Sequence, residues 1–328
     1  MVDKIQRWIK DGCNGFQIML IIFTTFLLGC RLYPKIEGYI EHQKEAAALQ
    51  SQWLVTDTYQ MHYWEGGNPN GETLLFLHGF GGDALWAWAR NLPAFAQDYH
   101  IIAPDLLWFG QSTGGAPSLQ MQRDAILAVL EQENISKTHV VGLSYGGFVA
   151  LQLQQQDTVE KMVLVGVGGA SFELDDIQNL QNRFAVQKVT DIFVPQQEDD
   201  VRLLLDICFH APTFLVPHNL SADLYQNVFG KYPVEQSQLL EELLQNVDEY
   251  AGLFHQTSSH PQSLLVIGRS DPIFSVEQAT ELQDALKGEL LVYSFADHVP
   301  NVGFHRRFNK DVRQFLQTAD QQDPIEGQ

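Results

Sequence analysis

Hydrophobic and polar positions follow two alternating periods from about residue 53 to residue 316. Short, nearly continuous apolar runs are typical of strands covered on both faces, and apolar residues spaced three or four apart predict helices. The predicted strands are 53–58, 59–65, 73–77, 100–105, 138–141, 161–167, 264–268 and 290–295, and the predicted helices are 84–96, 121–133, one that begins at 147, 276–286 and 308–316. This alternation predicts an α/β fold with a mostly parallel central sheet and helices on both faces.

The segment 171–259 interrupts this alternation. It is polar, its apolar residues have helical spacing, and prolines break it at positions 195, 212, 217 and 233. Because it follows the predicted strand 161–167, it leaves the sheet at the edge where open sheets bind ligands. We therefore expect a core of 53–170 and 260–318 with a helical cap of 171–259 over the site. A helical bundle unrelated to the site is the alternative.

The first 30 residues have the pattern of an export signal. Basic residues near the start precede the uncharged run 18–28, which is shorter than the roughly 20 apolar residues that span a membrane. The run ends Leu27-Leu28-Gly29-Cys30, which resembles a bacterial lipobox. We expect cleavage before Cys30 and lipid attachment to its thiol, and an uncleaved signal-anchor is the alternative.

The segment 31–52 is expected to be a tether followed by a short helix. With lipid at Cys30, it would hold the domain at a membrane of the cell envelope. Arg31 stands where an inner-membrane retention aspartate would stand, so a cell with two membranes would carry the protein in the outer one.

Charge and cysteine content narrow the possible partners. The formal net charge is −20, from 40 acidic and 20 basic residues, which argues against a nucleic-acid partner. Of the three cysteines only Cys208 lies outside the signal region and its end, so no disulfide framework is expected. The sequence contains no pair of histidines or cluster of carboxylates at the spacing of metal ligands, so we expect no metal. No glycine-rich dinucleotide fingerprint follows the first strand, so we expect no nicotinamide or flavin cofactor. No obligate protein partner is predicted.

One stretch carries the pattern of a nucleophilic serine. The predicted strand 138–141 runs into Gly142-Leu143-Ser144-Tyr145-Gly146, which fits G-x-S-x-G, and a helix is predicted directly after it. A serine in a sharp strand-to-helix turn exposes its hydroxyl, and small flanking residues let the strand and the helix approach each other. The pattern alone is also compatible with an ordinary turn.

Two later stretches supply the partners that a nucleophilic serine needs. Asp271 follows the predicted strand 264–268, and His298 follows the next strand along the chain. A base must take the serine proton and a carboxylate must orient that base. We therefore predict Ser144, His298 and Asp271 as a catalytic triad. Asp105 also follows a strand, but its Pro-Asp-Leu context suggests a turn-stabilising carboxylate.

The residues around Ser144 also suggest an oxyanion hole. Two backbone N–H groups must point at the developing negative charge, and we assign them to Tyr145 and Phe80. Phe80 lies in the glycine-rich loop after the predicted strand 73–77. Phe80, Trp86 and Phe172 are candidates for an acyl pocket, and packing in the core is the alternative for each.

These motifs resemble those of the α/β-hydrolase fold from about residue 73 to residue 316. Within that superfamily the chain is similar to membrane-anchored monoacylglycerol lipases and to bacterial lipases with an HGFG loop. The motifs that carry the resemblance are the HGFG loop at 78–81, the serine motif at 142–147, Gly268-Arg269-Ser270-Asp271 and Asp297-His298-Val299-Pro300. Tyr145 departs from the methionine or glutamine that commonly follows the serine. The resemblance implies a serine esterase that acts on glycerides or related esters.

The sequence therefore predicts a carboxylic-ester hydrolase whose substrate is a small ester or a monoglyceride. A hydrolase of carbon–carbon bonds in ring-cleavage products would use the same triad and a similar cap. A third interpretation is a tethered, non-catalytic protein that binds through a hydrolase-like fold.

Overall fold

One mixed sheet runs through the molecule. The computed structural model describes residues 32–154, 157–168, 174–209, 216–247, 249–250 and 260–318. Its strands are β1 Gln50–Val55, β2 Tyr59–Gly67, β3 Thr73–Leu77, β4 His100–Pro104, β5 Thr113–Gly114, β6 Thr138–Leu143, β7 Val159–Val165, β8 Gln262–Gly268 and β9 Glu289–Tyr293. The spatial order is β1-β2-β4-β3-β6-β7-β8-β9, and β5 pairs with β2. Strand β2 pairs antiparallel with β1, β4 and β5. The remaining pairs, β4–β3, β3–β6, β6–β7, β7–β8 and β8–β9, are parallel. The predicted mostly parallel sheet is confirmed.

Helices connect the strands and cover the sheet. They are α1 Tyr33–Ala46, α2 Ala84–Trp88, α3 Leu92–Phe95, α4 Leu119–Gln132, α5 Tyr145–Leu153, α6 Leu174–Phe184, α7 Thr190–Phe193, α8 Asp200–Phe209, α9 His218–Leu224, α10 Pro233–Gln245, α11 Val276–Leu286, α12 Pro300–Gly303 and α13 His305–Gln317. The π-helical turn Tyr225–Phe229 continues α9. The single helix predicted over 84–96 is instead the pair α2 and α3, because Pro93 cannot continue the hydrogen-bond ladder of a helix.

The central strands are buried on both sides because successive side chains alternate between the two faces of the sheet. On β3, Leu75 and Leu77 belong to one core cluster, whereas Leu74 and Phe76 belong to the cluster on the other face. All six residues of β6 are buried. This arrangement explains why the sequence shows continuous apolar runs here rather than alternation.

All secondary structure described between residues 174 and 250 is helical, and this part lies between β7 and β8. We refer to it as the cap. A third apolar cluster joins the cap to the amino-terminal region, and it contains Leu32, Leu204, Leu220, Leu224 and Phe229.

Residues 32–52 do not form a free tether. The expected helix is present as α1, but Leu32 packs into the cap cluster and Leu49 is buried in the core. Gln50 already belongs to β1, which pairs along its whole length with β2. These contacts bury apolar side chains that an extended tether would leave in water.

Two predictions fall on the amino terminus, namely the signal at 1–30 and lipid at Cys30, and both lie outside the described residues. Within the described ranges, no helix combines the length and the apolar character needed to cross a membrane.

Candidate active site

Ser144 stands at the turn between β6 and α5 in a backbone conformation that is rare for a residue with a side chain. Its φ is 50° and its ψ is −116°. Its N–H donates to the carbonyl of Val165 at 2.8 Å, which fixes the turn against β7. Strain of this kind persists only where the surrounding structure holds it, and it is typical of functional turns.

The small residues around Ser144 are required by close backbone approaches. A β carbon on Gly142 would lie 2.6 Å from the carbonyl oxygen of Gly146, and one on Gly146 would collide with the carbonyl of Leu77. Helix α5 therefore meets both strand β6 and strand β3 at backbone distance. This is the physical reason for the two glycines of the G-x-S-x-G motif.

Asp271 and His298 form a buried pair at the carboxyl ends of β8 and β9. The Asp271 Oδ2 atom lies 2.9 Å from His298 Nδ1, and the two side chains are 0% and 5% exposed. The other carboxylate oxygen accepts the N–H groups of Ile273 at 2.8 Å and Phe274 at 3.2 Å. Both oxygens are thus occupied, and the carboxylate holds the imidazole in one orientation.

The corner after β7 contacts both Ser144 and His298. The carbonyl of Val165 accepts the Ser144 N–H, and the following residue, Gly166, lies against the His298 ring with φ = 57°. A β carbon on Gly166 would lie 3.2 Å from Cε1 and Nδ1 of that ring. All three predicted triad residues therefore lie at the carboxyl edge of the sheet, where the loops after parallel strands come together.

The loop after β3 passes directly over Ser144. A β carbon on Gly79 would lie 3.1 Å from the Ser144 β carbon. The neighbouring His78 fixes this loop, because its Nδ1 bonds the Gly79 carbonyl at 2.8 Å and its Nε2 accepts the Leu106 N–H at 2.9 Å. Burial lowers the pKa of His78, so the neutral ring that this bonding requires is favoured.

Phe80 and Tyr145, the two predicted oxyanion donors, line the same pocket as Ser144. Within the described part of the chain, neither of their backbone N–H groups donates to a protein acceptor. Their rings meet edge to face with centroids 4.9 Å apart. Two N–H groups without a protein partner beside a strained serine are suited to bind negative charge.

An apolar pocket opens on Ser144 between the core and the cap. Its described lining is Phe80, Tyr145, Phe148, Leu180, Val189, Phe193, Leu240, Leu243, Leu244, Val247, Ile273 and Phe274 in addition to Ser144. None of these side chains carries a charge. The empty space, counted out to the mouth, is about 530 Å³.

The three pocket candidates have different outcomes. Phe80 lines the pocket. Trp86 does not belong to the described lining and instead packs against Phe229 of the cap, with ring centroids 5.8 Å apart. Phe172 lies outside the described residues.

Sequence reasoning missed a buried polar cluster beside the loop after β4. The Asp105 Oδ2 atom contacts His62 Nδ1 at 2.9 Å and accepts the Gln111 N–H at 3.0 Å, and its Oδ1 accepts the Ala84 N–H at 3.1 Å. Asp83 caps α2 next to it, and burial, followed by repulsion from Asp105, raises the pKa of Asp83 to about 7. Asp105 therefore stabilises its turn as expected, but its histidine partner comes from β2.

A second missed group lies at the opposite edge of the sheet. Ligand atoms of Glu72, His139 and Glu160 are within 4.8 Å of one another at the amino ends of β3, β6 and β7. These three residues are far apart in sequence, so the short spacing that identifies a metal-binding motif is not present among them.

Comparison with known proteins agrees with this geometry. The profile of the family described as alpha/beta hydrolase fold matches residues 72–302. Lipase 1 of Psychrobacter immobilis is 26% identical over 296 residues, which cover 86% of this chain and 90% of that protein. The 2-hydroxymuconate semialdehyde hydrolase of Pseudomonas sp. strain CF600 is 27% identical over 264 residues, which cover 76% of this chain and 88% of that protein.

Among solved structures, a serine hydrolase from Cycloclasticus zankles superposes with a TM-score of 0.69 at 22% identity. The match covers 84% of this chain and all of that one, and it supports the fold alone. Because the family profile spans most of the chain, this protein belongs to the α/β-hydrolase family and is a hydrolase.

Proposed function

We propose that this hydrolase cleaves carboxylic esters through Ser144, His298 and Asp271. The observation that carries the proposal is the uncharged, apolar pocket that opens on Ser144. Such a lining suits the hydrocarbon chain of an acyl group, because each buried methylene contributes about 0.8 kcal/mol to binding.

The first half of the reaction acylates the serine. A neutral His298 that donates from Nδ1 to Asp271 carries a lone pair on Nε2, and this nitrogen takes the hydroxyl proton of Ser144. The serine oxygen then bonds to the ester carbonyl carbon, and the carbonyl oxygen becomes negatively charged. The N–H groups of Phe80 and Tyr145 donate to that oxygen. When the tetrahedral intermediate collapses, the alcohol leaves with the proton from His298.

The second half restores the enzyme. His298 takes a proton from water, and the resulting hydroxide attacks the acyl carbonyl. The Ser144 oxygen leaves and recovers its proton from His298, and a carboxylic acid is released. Asp271 stays ionised and stabilises the imidazolium in both halves.

The pocket also bears on which substrates are cleaved. We infer that the acyl portion is a hydrocarbon chain that lies against Leu240, Leu243 and Leu244 of α10. Monoglycerides and simple alkyl esters both satisfy this requirement, since they add no charge to the acyl group.

Hydrolysis of carbon–carbon bonds in ring-cleavage products is the second candidate. The likeness to 2-hydroxymuconate semialdehyde hydrolase is as strong as the likeness to Lipase 1, so sequence similarity favours neither. A substrate that carries a carboxylate needs a cation to receive it. The described lining offers none, and Arg183, at the end of α6, is exposed and donates to the carbonyl of Pro272 instead. This charge argument favours the ester.

A hydrolysis panel tests the proposal. Purified protein is assayed on p-nitrophenyl esters of increasing chain length, on monoglycerides and on a ring-cleavage product. We expect ester turnover, and a drop of several orders of magnitude in a folded Ser144→Ala variant. A fluorophosphonate should label Ser144. Turnover of the ring-cleavage product alone would reassign the reaction, and undiminished ester turnover in Ser144→Ala would remove the serine from it.

We also propose that the mature protein begins at Cys30 and carries lipid there, in the membrane of the cell envelope. The sequence support is the lipobox-like ending of the uncharged run 18–28. A single acyl chain binds membranes only marginally, so several chains would be needed for a stable anchor. Cys30→Ser should leave a precursor that incorporates no labelled palmitate. A wild-type protein that retains Met1 would instead be signal-anchored.

A further inference from the structure

Phe109 contacts each part of the proposed oxyanion hole although it does not belong to the described pocket lining. Its ring centroid lies 5.2 Å from that of His78, 5.1 Å from that of Phe80 and 6.4 Å from that of Tyr145. The ring is 1% exposed. The His78 ring holds the glycine-rich loop, and the other two residues carry the proposed donors. Phe109 is thus the common neighbour of all three.

The backbone around Phe109 is held in an unusual conformation. Trp108 has a φ of 70° and Gly110 has a φ of 51°, so a left-handed residue stands on each side of Phe109. The Phe109 N–H donates to Leu106 at 2.9 Å, and its carbonyl accepts the Ser112 N–H at 2.9 Å. A non-glycine residue such as Trp108 adopts a left-handed conformation only where the surroundings enforce it.

The cap supplies part of that enforcement. The buried Gln236 of α10 donates through Nε2 to the carbonyl of Trp108 at 2.9 Å. Lys231 donates to the carbonyl of Gly110 at 2.8 Å, and the ring of Tyr232 meets that of Trp108 with centroids 5.6 Å apart. Both carbonyls that flank Phe109 therefore accept hydrogen bonds from the cap.

We propose that Phe109 is a positioning residue that sets the two oxyanion donors, and that the cap holds it in place through Gln236. The inference rests on the proposed function, in which Phe80 and Tyr145 donate to the oxyanion. Donors stabilise an oxyanion only when they lie about 2.7–3.1 Å from it, so a small displacement of either backbone N–H group, passed on from its ring, has a large effect on rate. An edge-to-face contact fixes ring orientation more tightly than an aliphatic side chain can.

Phe109→Leu tests the positioning role, with Phe95→Leu as the matched control. Phe95 is equally buried and also contacts two aromatic rings, those of Phe76 and Tyr99, away from the site. We expect kcat for an ester to fall about 10- to 100-fold in Phe109→Leu, with KM within about threefold of wild type. The inhibition constant of an alkyl trifluoromethyl ketone, whose serine adduct bears an oxyanion, should rise by a similar factor. Phe95→Leu should lose stability without these changes.

Gln236→Met tests the connection to the cap and remains available if Phe109→Leu does not fold. We expect the same pattern at a smaller magnitude, and an effect of the double variant well below the product of the two single effects. Equal kcat losses in Phe109→Leu and Phe95→Leu, or an unchanged ketone affinity, would overturn the positioning role. The role of the cap would be overturned if the kcat losses of the two single variants multiply in the double variant, or if Gln236→Met leaves kcat unchanged.

The Ser144→Ala variant separates failure of this inference from failure of the proposed function. If Ser144→Ala abolishes turnover while Phe109→Leu matches its control, only this inference fails. If Ser144→Ala remains active, the proposed function fails.

Discussion

Asp83 makes the stability of this protein depend on pH in an unusual direction. Burial and the neighbouring Asp105 raise the pKa of Asp83 to about 7, from 3.8 in the unfolded chain. Between these two values the folded state binds the proton and the unfolded state does not. The contribution of Asp83 to the free energy of unfolding therefore falls as pH rises from about 4 to about 7 and changes little above that range.

The size of this loss follows from the pKa difference. The difference between the pKa values of Asp83 in the folded and the unfolded state corresponds to at most about 4 kcal/mol of stability. Asp83 is partly exposed, so solvent reduces the penalty for ionisation. We expect about 2 kcal/mol.

Asp83→Asn removes the charge but retains the helix cap, because the amide oxygen can accept the same N–H. We expect the variant to match wild type near pH 4.5 and to exceed it by about 2 kcal/mol at pH 8. Urea unfolding followed by circular dichroism across this range measures the difference, and Asp57→Asn, at an exposed turn, is the control. Parallel pH profiles for Asp83→Asn and wild type would refute the argument that Asp83 ionises at a cost.

Three further variants probe the site and its support. Gly166→Ala should lower ester turnover at least 100-fold, because its β carbon would lie 2.6 Å from the His298 carbonyl at a positive φ; steady-state kinetics measures the loss. Asp271→Asn should lower kcat by about 10³- to 10⁴-fold without unfolding the protein, since the amide favours the wrong histidine tautomer; kinetics and a thermal melt check both parts. Asp105→Asn should lower the free energy of unfolding by about 3 kcal/mol, because His62 loses its buried acceptor; urea unfolding measures it.

The parts of the fold that were predicted from sequence are those with a local signature. Strands buried on both faces show as apolar runs, so the order of β3, β4, β6, β7, β8 and β9 along the chain followed from the pattern. The predicted triad residues were found because each lies in the loop or turn that follows one of these strands. Their catalytic roles remain predictions until they are tested.

The parts that sequence analysis missed depend on contacts between distant residues. His62 and Asp105 are 43 positions apart, and they meet only because β2 pairs antiparallel with β4. The packing of the amino-terminal region against the cap likewise depends on Leu32, which shares an apolar cluster with cap residues more than 160 positions later. Strand β5 has two residues, which is too short to produce a period.

The division between core and cap explains why similarity alone does not identify the substrate. The proposed reacting groups follow β3, β6, β8 and β9, which lie in the part of the chain that the family profile matches. The pocket on Ser144 is completed by one face of α10, where Leu240, Leu243 and Leu244 recur at helical spacing. Substitutions on that face change the chemistry of the pocket without moving the triad. Lipases and carbon–carbon hydrolases can therefore be equally similar to this chain, and our proposal of an ester rests on the uncharged described lining rather than on sequence identity.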